Sequence, residues 1–279
     1  MYVILGNRFY RQGIVEVRLL DHLRKRDTQN DRNVIHMLDC FHFRKHICIV
    51  LELAGINLYD LLKRNAFNGF SVMAVKRFAW NILQCLHLLQ QEKIIHCDVK
   101  PENVLLRTRQ GASESSIYDI KVTDFGSGCF IHEQVYCYIQ SRYYRAPEII
   151  LDTAGNPTKT VNTRGKRRLP GTKSLQTVLK TSDRRFLDFM KRCLEWDPRS
   201  RVTADQLMHH EWMVGPPGKA AKDFPSFTSH GYRHTKGALG GAYEQRDVVA
   251  ELLSTNPFNE ENDPETRRPT RRREADRDE

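Results

Sequence analysis

The sequence predicts an α+β fold in which a helix and a strand pair precede a mainly helical second half. Apolar residues recur at helical spacing over 10–25 and again over 72–90. Two segments rich in β-branched and aromatic residues, 36–43 and 46–53, are separated by only two basic residues and predict an antiparallel pair. Beyond residue 183 the apolar pattern is again helical. Helices and antiparallel strands therefore occupy separate parts of the chain, as an α+β class requires.

Each predicted element has its own local signal. The first helix carries Ile14, Val17, Leu20 and Leu23 on one side, and Ser71 can cap the long helix over 72–90. Between the strand pair and the long helix, Gly55 breaks the strand pattern and NLYDLLKRN predicts a short helix. The remaining elements are a short strand over 117–123 and two helices, FLDFMKRCLEW and TADQLMHHEWM, separated by Asp197-Pro198.

Composition restricts the compartment and the class of protein. The chain has 279 residues and a net charge of +10, and much of its basic excess lies in 159–173 and 266–273. Seven cysteines occur without a C-x-x-C pair, which favours reduced thiols in the cytoplasm, the nucleus or both. The sequence has no run of 18 apolar residues and no secretory signal pattern, so we expect no membrane association. Without basic motifs interleaved with aromatic residues, nucleic acid is a disfavoured partner.

The motif with the most chemical content is HCDVKPEN at 96–103, which has the form H-x-D-x-K-x-x-x-N. It supplies a base, a cation two residues later and an amide five residues after the base, which is the set that protein kinases use. Downstream stand Asp124-Phe125-Gly126 and Ala146-Pro147-Glu148, which match D-F-G and A-P-E. Three independent matches in the correct order make coincidence improbable.

Three stretches then resemble one kinase family in particular, the dual-specificity tyrosine-regulated kinases (DYRK), class II branch. They are HCDVKPENVLL at 96–106, VTDFGSGCF at 122–130 and VYCYIQSRYYRAPEIIL at 135–151. The resemblance extends from about residue 8 to 151 and again from about 152 to 213. Within it, the tract at 152–180 looks most like the fourth vertebrate member of the family. It implies a protein-kinase-like fold with an incomplete small β-rich lobe and an incomplete, mainly helical large lobe. It also implies ATP and Mg²⁺ as cofactors, Ser/Thr phosphorylation of protein substrates and Tyr autophosphorylation.

The resemblance assigns roles to the residues of the catalytic loop. Asp98 would be the catalytic base, Lys100 the phosphoryl clamp, and Asn103 with Asp124 the metal ligands. By position, Glu16 matches the helix Glu that pairs with a strand Lys near the ATP phosphates. Outside this motif, Asp98 could equally be an Asp that caps a loop.

Further positions match the adenine pocket and the activation segment. Glu52 and Leu53, with Ala54 after them, match the hinge that binds adenine, and Leu105 matches the apolar floor beneath it; ordinary strand or core packing is the alternative. Tyr138 matches the tyrosine that the family autophosphorylates, with Arg142 and Arg145 as cations for its phosphate; a buried aromatic is the alternative. Two further matches are Leu51, at the gatekeeper position, and Glu148 with Arg201, which match a structural ion pair.

The resemblance also divides the chain and exposes gaps in it. Residues 1–54 would be a remnant of the small lobe, and 55–151 the large lobe with catalytic loop and activation segment. A basic linker at 152–182 would follow a deletion, before C-terminal helices at 183–214 and a disordered tail at 215–279. That tail contains one amphipathic patch, VVAELL at 248–253.

The gaps lead us to expect weak or absent phosphoryl transfer. No G-x-G-x-x-G occurs, no strand Lys precedes the first helix, and the D-x-W-S-x-G signature of a large-lobe helix is absent. This favours a truncated isoform or gene-model product. The alternative to a kinase is therefore a catalytically impaired isoform that acts as a binding or regulatory protein. Regulatory or chaperone proteins are its further candidate partners beside protein substrates.

Overall fold

The computed structural model describes residues 2–5, 10–44, 46–107, 118–133, 139–154 and 173–215. Tyr138, most of the predicted linker and nearly all of the predicted tail lie outside these ranges. The first helix, α1, is Tyr10–Arg26, and the long helix, α3, is Val72–Gln91. The short helix α2 lies between them at Leu58–Arg64. No helix among the described residues is both long and apolar enough to cross a bilayer.

Within the described ranges, three small antiparallel sheets accompany the helices. The first contains β1 (Tyr2–Leu5), β2 (Met37–Phe43) and β3 (His46–Leu51), in the order β1-β3-β2. The second contains β4 (Ala54–Asn57), β6 (Val104–Arg107) and β7 (Ile120–Val122), in the order β4-β6-β7. The third pairs β5 (Ile94–Ile95) with β8 (Cys129–Phe130). The second and third sheets flank the HCDVKPEN loop and fix both of its ends.

The helices after the activation segment are short. They are α4 (Pro147–Ala154), α5 (Leu175–Leu179), α6 (Arg184–Cys193), α7 (Ala204–Met208) and α8 (Glu211–Val214). Each of the last four is capped at its N-terminus by a side chain: Ser174, Asp183, Thr203 and His210 accept bonds from backbone N–H groups of the first turn.

Two hydrophobic clusters hold together the part of the chain that the structure describes. The larger joins α1, the first sheet, the buried side of α3 and the strands around the loop, and includes Leu20, Ile49, Phe78 and Phe125. The smaller joins Leu83 of α3 to Phe189, Leu207, Trp212 and Met213 of α6–α8. Since α3 contributes to both clusters, it connects the N-terminal sheet and the C-terminal helices.

The structure confirms the two long helices, the strand pair and the short helix after Gly55. Three expectations were wrong in detail. Gly55 does not break the strand pattern but lies inside β4, because Ala54 and Asn57 pair with Arg107 and Leu105 of β6. The segment TADQLMHHEWM forms two helices rather than one, because His210 accepts a bond from Trp212 N–H and starts a new turn. Within the predicted linker, Ser174 caps the short helix α5, a signal that the sequence analysis missed.

Candidate active site

The HCDVKPEN loop connects β5 to a 3₁₀ turn at Pro101–Asn103 that leads into β6. His96, only 3% exposed, anchors the loop: its Nε2 lies 3.0 Å from the Thr123 carbonyl, and its Nδ1 accepts from Asp98 N–H. Burial lowers the pKa of His96, with only partial opposition from its hydrogen bonds and from nearby acids. A neutral His96 therefore serves as a fixed support, and it orients the backbone of Asp98.

Asp98 holds its carboxylate between the loop and the activation segment. One oxygen accepts from Ser141 N–H at 3.0 Å, and the other accepts from Lys100 Nζ. Lys100 also donates to Ser141 Oγ at 3.1 Å. Burial alone would raise the pKa of Asp98, but the hydrogen bonds from Lys100 and Ser141 outweigh it and hold that pKa below its ordinary value. The carboxylate is therefore ionised at neutral pH and ready to accept a proton.

Lys100 keeps its charge for the same reason. Burial would lower the pKa of Lys100, but Asp98, with smaller contributions from Asp124 and Glu102, raises it above its ordinary value. The structure thus provides a permanent cation two residues after the base, as the motif predicts.

The two predicted metal ligands lie at the ends of neighbouring strands, since Asn103 directly precedes β6 and Asp124 follows β7 by two residues. Val104 pairs with Val122 across β6 and β7, and Thr123 N–H donates to the Asn103 carbonyl at 2.9 Å. Asn103 and Asp124 therefore flank the same end of this ladder. Asn103 is buried and donates from Nδ2 to the Asp98 carbonyl at 3.0 Å, so its Oδ1 is the atom left to bind a cation. Asp124 has a φ of 66° and is exposed.

Glu16 of α1 meets the D-F-G turn. It is 6% exposed, and a Cβ placed on Gly126 would lie 3.3 Å from its Oε2, so any other residue there would require the carboxylate to shift by a few tenths of an ångström. Phe125 is fully buried, and its ring centroid lies 4.6 Å from that of His96. Burial first, and then the charge of Asp124, raise the pKa of Glu16 to about 7, although the Phe125 N–H offsets part of this. Among the described residues, no Lys or Arg forms an ion pair with Glu16.

The hinge residues surround a buried lysine that the sequence analysis missed. Lys121 is 0% exposed and donates to the Val34 carbonyl at 2.9 Å and to Asn30 Oδ1, while its Nζ lies 3.2 Å from Glu52 Oε1. Glu52 also accepts from His36 N–H, so its side chain braces the hinge. The best signal available in the sequence was IKV, in which Lys121 is flanked by strand-forming residues and lies three positions before Asp124 of the D-F-G turn.

The remaining adenine-pocket positions differ in exposure and in the sheet to which they belong. Leu51, at the gatekeeper position, is 2% exposed, whereas Leu53 is 71% exposed. Leu105 lies in β6, opposite Asn57 of β4 on one side and Lys121 of β7 on the other. Ala54 begins β4 on the same sheet as Leu105, whereas Glu52 and Leu53 lie between β3 and β4, and the roles of all four toward a nucleotide stay predictions.

In the activation segment, the described residues begin again just after Tyr138. Arg145 donates to the carbonyls of Ile139 and Gln140 at 3.1 and 2.8 Å, and Arg142 is exposed in a 3₁₀ turn. Tyr138 itself lies outside the described residues, so its pairing with the two arginines stays a prediction.

The predicted structural ion pair is confirmed. Arg201 binds Glu148 through two parallel bonds of 2.9 and 2.7 Å, which join the A-P-E motif to the segment before α7.

A protein kinase domain model matches residues 10–166, more than half of the chain. The chain belongs to the protein kinase family. This protein kinase is similar to dual specificity tyrosine-phosphorylation-regulated kinase 4 of Homo sapiens, at 40% identity over 74% of this chain and 50% of the human protein. It is also 40% identical to dual specificity tyrosine-phosphorylation-regulated kinase 2 of Drosophila melanogaster, over 74% of this chain and 36% of the relative. To the kinase of the same name numbered 3 of Mus musculus it is 37% identical, over 74% of this chain and 47% of the relative.

These relatives support membership of the DYRK family, as the sequence motifs predict. The kinase spans about a third to a half of the length of the curated relatives it matches. Relatives numbered 2, 3 and 4 match at 37–40% identity, so the class II branch and the likeness of residues 152–180 to the fourth vertebrate member stay predictions. The alignment to the human protein runs over 267 positions, but 74% of 279 residues is about 206. About 60 aligned positions therefore have no residue in this chain.

Proposed function

We propose that this kinase transfers the terminal phosphoryl group of ATP to Ser and Thr hydroxyls of protein substrates and to its own Tyr138. The observation that carries the proposal is the ionised Asp98 held between Lys100 and Ser141 on a loop fixed by His96. A carboxylate in this place can accept the proton of an incoming hydroxyl. Lys100, which bridges Asp98 and Ser141, is placed to neutralise charge on the transferring group.

The donor atoms at the end of the β6–β7 ladder fit a divalent metal bound with ATP. An amide oxygen from Asn103 and a carboxylate from Asp124 are hard oxygen ligands, and Mg²⁺ prefers such ligands. The metal would neutralise charge on the phosphates when bound. Asn103 holds its oxygen in place because its nitrogen is bonded to the Asp98 carbonyl, which ties the ligand to the base.

A feature beside the base supports substrates with a basic residue. Oε2 of Glu102 is buried and has no hydrogen-bond partner among the described residues. An unsatisfied buried carboxylate oxygen is costly, and a guanidinium from a substrate peptide would satisfy it once the groups that cover this oxygen move aside. The resemblance to the DYRK family implies a preference for substrate sites with Arg upstream and Pro just after, and Glu102 is our candidate for the contact with that Arg.

A second candidate function is a binding or regulatory protein with little turnover, favoured by two observations. Glu16 is buried beside Asp124 with no cationic partner among the described residues. About 60 aligned positions of the human relative have no counterpart here, which agrees with an internal deletion. Loss of one positioned cation from such a site costs on the order of 10²–10³ in rate. Regulatory or chaperone proteins would then be its partners, in the cytoplasm, the nucleus or both.

A paired measurement on the 279-residue chain separates the candidates. Thermal melts with and without ATP and Mg²⁺ report binding, because a ligand of the native state raises its stability. Transfer of ³²P from labelled ATP to a peptide with an upstream Arg reports turnover, with Asp98→Asn as the control. We expect a rise in Tm together with weak turnover that Asp98→Asn abolishes. A shift in Tm without any transfer favours the binding protein. The absence of both the Tm shift and the transfer refutes both candidate uses of ATP.

The peptide contact has its own test. Glu102→Gln should raise KM for a peptide with upstream Arg and leave KM for the matching Arg→Ala peptide unchanged. An equal change for both peptides would remove Glu102 from substrate recognition.

A further inference from the structure

Glu52 of the predicted hinge belongs to a ring of three polar side chains. Lys121 donates to Asn30 Oδ1, and its Nζ lies 3.2 Å from Glu52 Oε1. Asn30 in turn donates from Nδ2 to Glu52 Oε2 at 3.2 Å, which closes the ring. We call these three side chains the hinge ring. Because each member contacts both of the others, a movement of one requires a movement of the other two.

The hinge ring joins three separate segments of the chain. Asn30 lies between α1 and β2, Glu52 directly follows β3, and Lys121 is the middle residue of β7. Lys121 also donates to the Val34 carbonyl at 2.9 Å. Across the ladder it pairs with Leu105, the predicted adenine floor. The hinge and the floor predicted for adenine are therefore both connected to Lys121.

The bonds of Glu52 fix the hinge backbone as well as the side chain. Its backbone N–H donates to the His36 carbonyl at 2.9 Å, and its Oε1 accepts from His36 N–H at 2.8 Å. Leu53, next in the chain, is 71% exposed and contributes no buried side chain. Glu52, held by the ring and by His36, therefore sets the direction in which the hinge backbone leaves β3.

The two charges of the hinge ring depend on each other. Lys121 is 0% exposed, so its charge is balanced by ring partners rather than by water. Removal of one member of a buried ion pair is costly, whereas removal of both together is often nearly neutral. Asn30 has a φ of 54°, which glycine adopts without strain, so Asn30→Gly removes the side chain and keeps the backbone conformation. The ring can therefore be opened with or without a large loss of stability.

We infer that Lys121 and Asn30 are positioning residues that fix the hinge for adenine and so make this kinase select ATP over GTP. The inference rests on the proposed function, because it requires that the hinge binds the purine. Adenine presents an amino donor where guanine presents a carbonyl acceptor. A hinge held in one place leaves polar groups unpaired against the wrong base, whereas a hinge that can shift accommodates both bases.

Calorimetric titration of the full chain with ATP and with GTP, each with Mg²⁺, tests the selectivity. The unmodified chain should bind ATP more tightly than GTP. Lys121→Met and Asn30→Gly should each weaken ATP binding about tenfold, as for one lost hydrogen bond, and change GTP binding little. Leu207→Ala is the control, because it creates a cavity in the C-terminal cluster, away from the hinge. It should leave the ratio of the two affinities unchanged.

A double variant separates positioning from stability. Lys121→Met leaves Glu52 charged without its partner, and the addition of Glu52→Gln should recover most of the lost stability in urea melts. The ratio of ATP to GTP affinity should nevertheless stay low, because the hinge ring is still open. A double variant that regains both its stability and the original ratio would overturn the inference. An unchanged ratio in Lys121→Met and Asn30→Gly would overturn it as well.

Hydrogen exchange of the nucleotide-free chain distinguishes failure of this inference from failure of the proposed function. Residues 52–57 should exchange about tenfold faster in the double variant than in the unmodified chain, as for one lost hydrogen bond, and Leu207→Ala should leave them unchanged. Unchanged exchange in the double variant would refute the inference even if ATP binds. Faster exchange in a chain that binds no nucleotide would refute the proposed function, and the ATP selectivity with it.

Discussion

Replacement of Glu16 by Gln should stabilise this kinase at alkaline pH and leave it nearly unchanged at acidic pH. The carboxyl is 6% exposed and faces the turn at Asp124–Gly126. Burial and the charge of Asp124 raise its pKa from 4.5 to about 7. The folded state therefore favours the protonated acid, and Gln mimics the shape and neutrality of that form.

The magnitude and sign follow from the pKa. A shift from 4.5 to about 7 is 2.5 pH units, which at 1.36 kcal/mol each corresponds to about 3 kcal/mol. Between these two pH values the folded state binds more protons than the unfolded state. The free energy of unfolding therefore falls as pH rises through this window, and the full cost is present above pH 7. Glu16→Gln removes that cost, so its benefit should reach about 3 kcal/mol at pH 8 and vanish near pH 4.5.

Urea unfolding at pH 5 and pH 8 measures the effect. Glu133→Gln is the matched control, because Glu133 is half-exposed and pairs with Arg18 at the surface, where an ion pair contributes less than about 1 kcal/mol. The control should change little between the two pH values. A Glu16→Gln protein that is destabilised equally at both would show that the ionised carboxylate is stabilised by a partner cation, and the reasoning would fail.

Two substitutions and one mapping experiment probe the region around the site. Lys121→Met leaves Glu52 without its buried cation and should cost about 3 kcal/mol of unfolding free energy in urea melts. As a control, Lys63→Met at an exposed position should cost less than about 0.5 kcal/mol. Equal costs for the two variants would contradict the role of Lys121. Gly128→Ala places a Cβ 2.9 Å from Leu19 Cδ1 and should cost about 1–3 kcal/mol in the same melts, unless Leu19 moves aside without loss. Phosphopeptide mapping of protein expressed in bacteria should find Tyr138 as the main phosphotyrosine; modification mainly at Tyr136 or Tyr144 would show that the chain uses a different switch.

Local patterns predicted the long elements and the central motif. The helices α1 and α3 have their own apolar periodicity, and Asp98, Lys100 and Asn103 are found because kinase chemistry fixes their spacing. Of the strands β4 to β8, the sequence predicted β7, within 117–123, and missed the other four. They have two to four residues each, and they exist only because distant partners such as Asn57 and Leu105, or Ile94 and Phe130, are brought together.

Lys121 shows why buried polar groups escape sequence reasoning. A strand with one solvent-facing side would expose Lys between Ile120 and Val122, yet all three residues are buried. The burial depends on oxygens from Asn30, Val34 and Glu52, which lie some 70 to 90 positions earlier in the chain. Ser141 was also missed as a partner of the base, because its donor is a backbone N–H that any residue could supply.

The Glu148–Arg201 pair has a consequence for how this part of the chain can evolve. Its two hydrogen bonds join residues 53 positions apart and hold together the two ends of the segment between them. Doubling the length of a flexible loop adds only about 0.6 kcal/mol to the entropy of closing it. The ion pair can therefore still form after insertion or removal of many residues between Glu148 and Arg201. Relatives could then differ in the length and content of the segment between Glu148 and Arg201, while the A-P-E motif keeps its contact with the C-terminal helices.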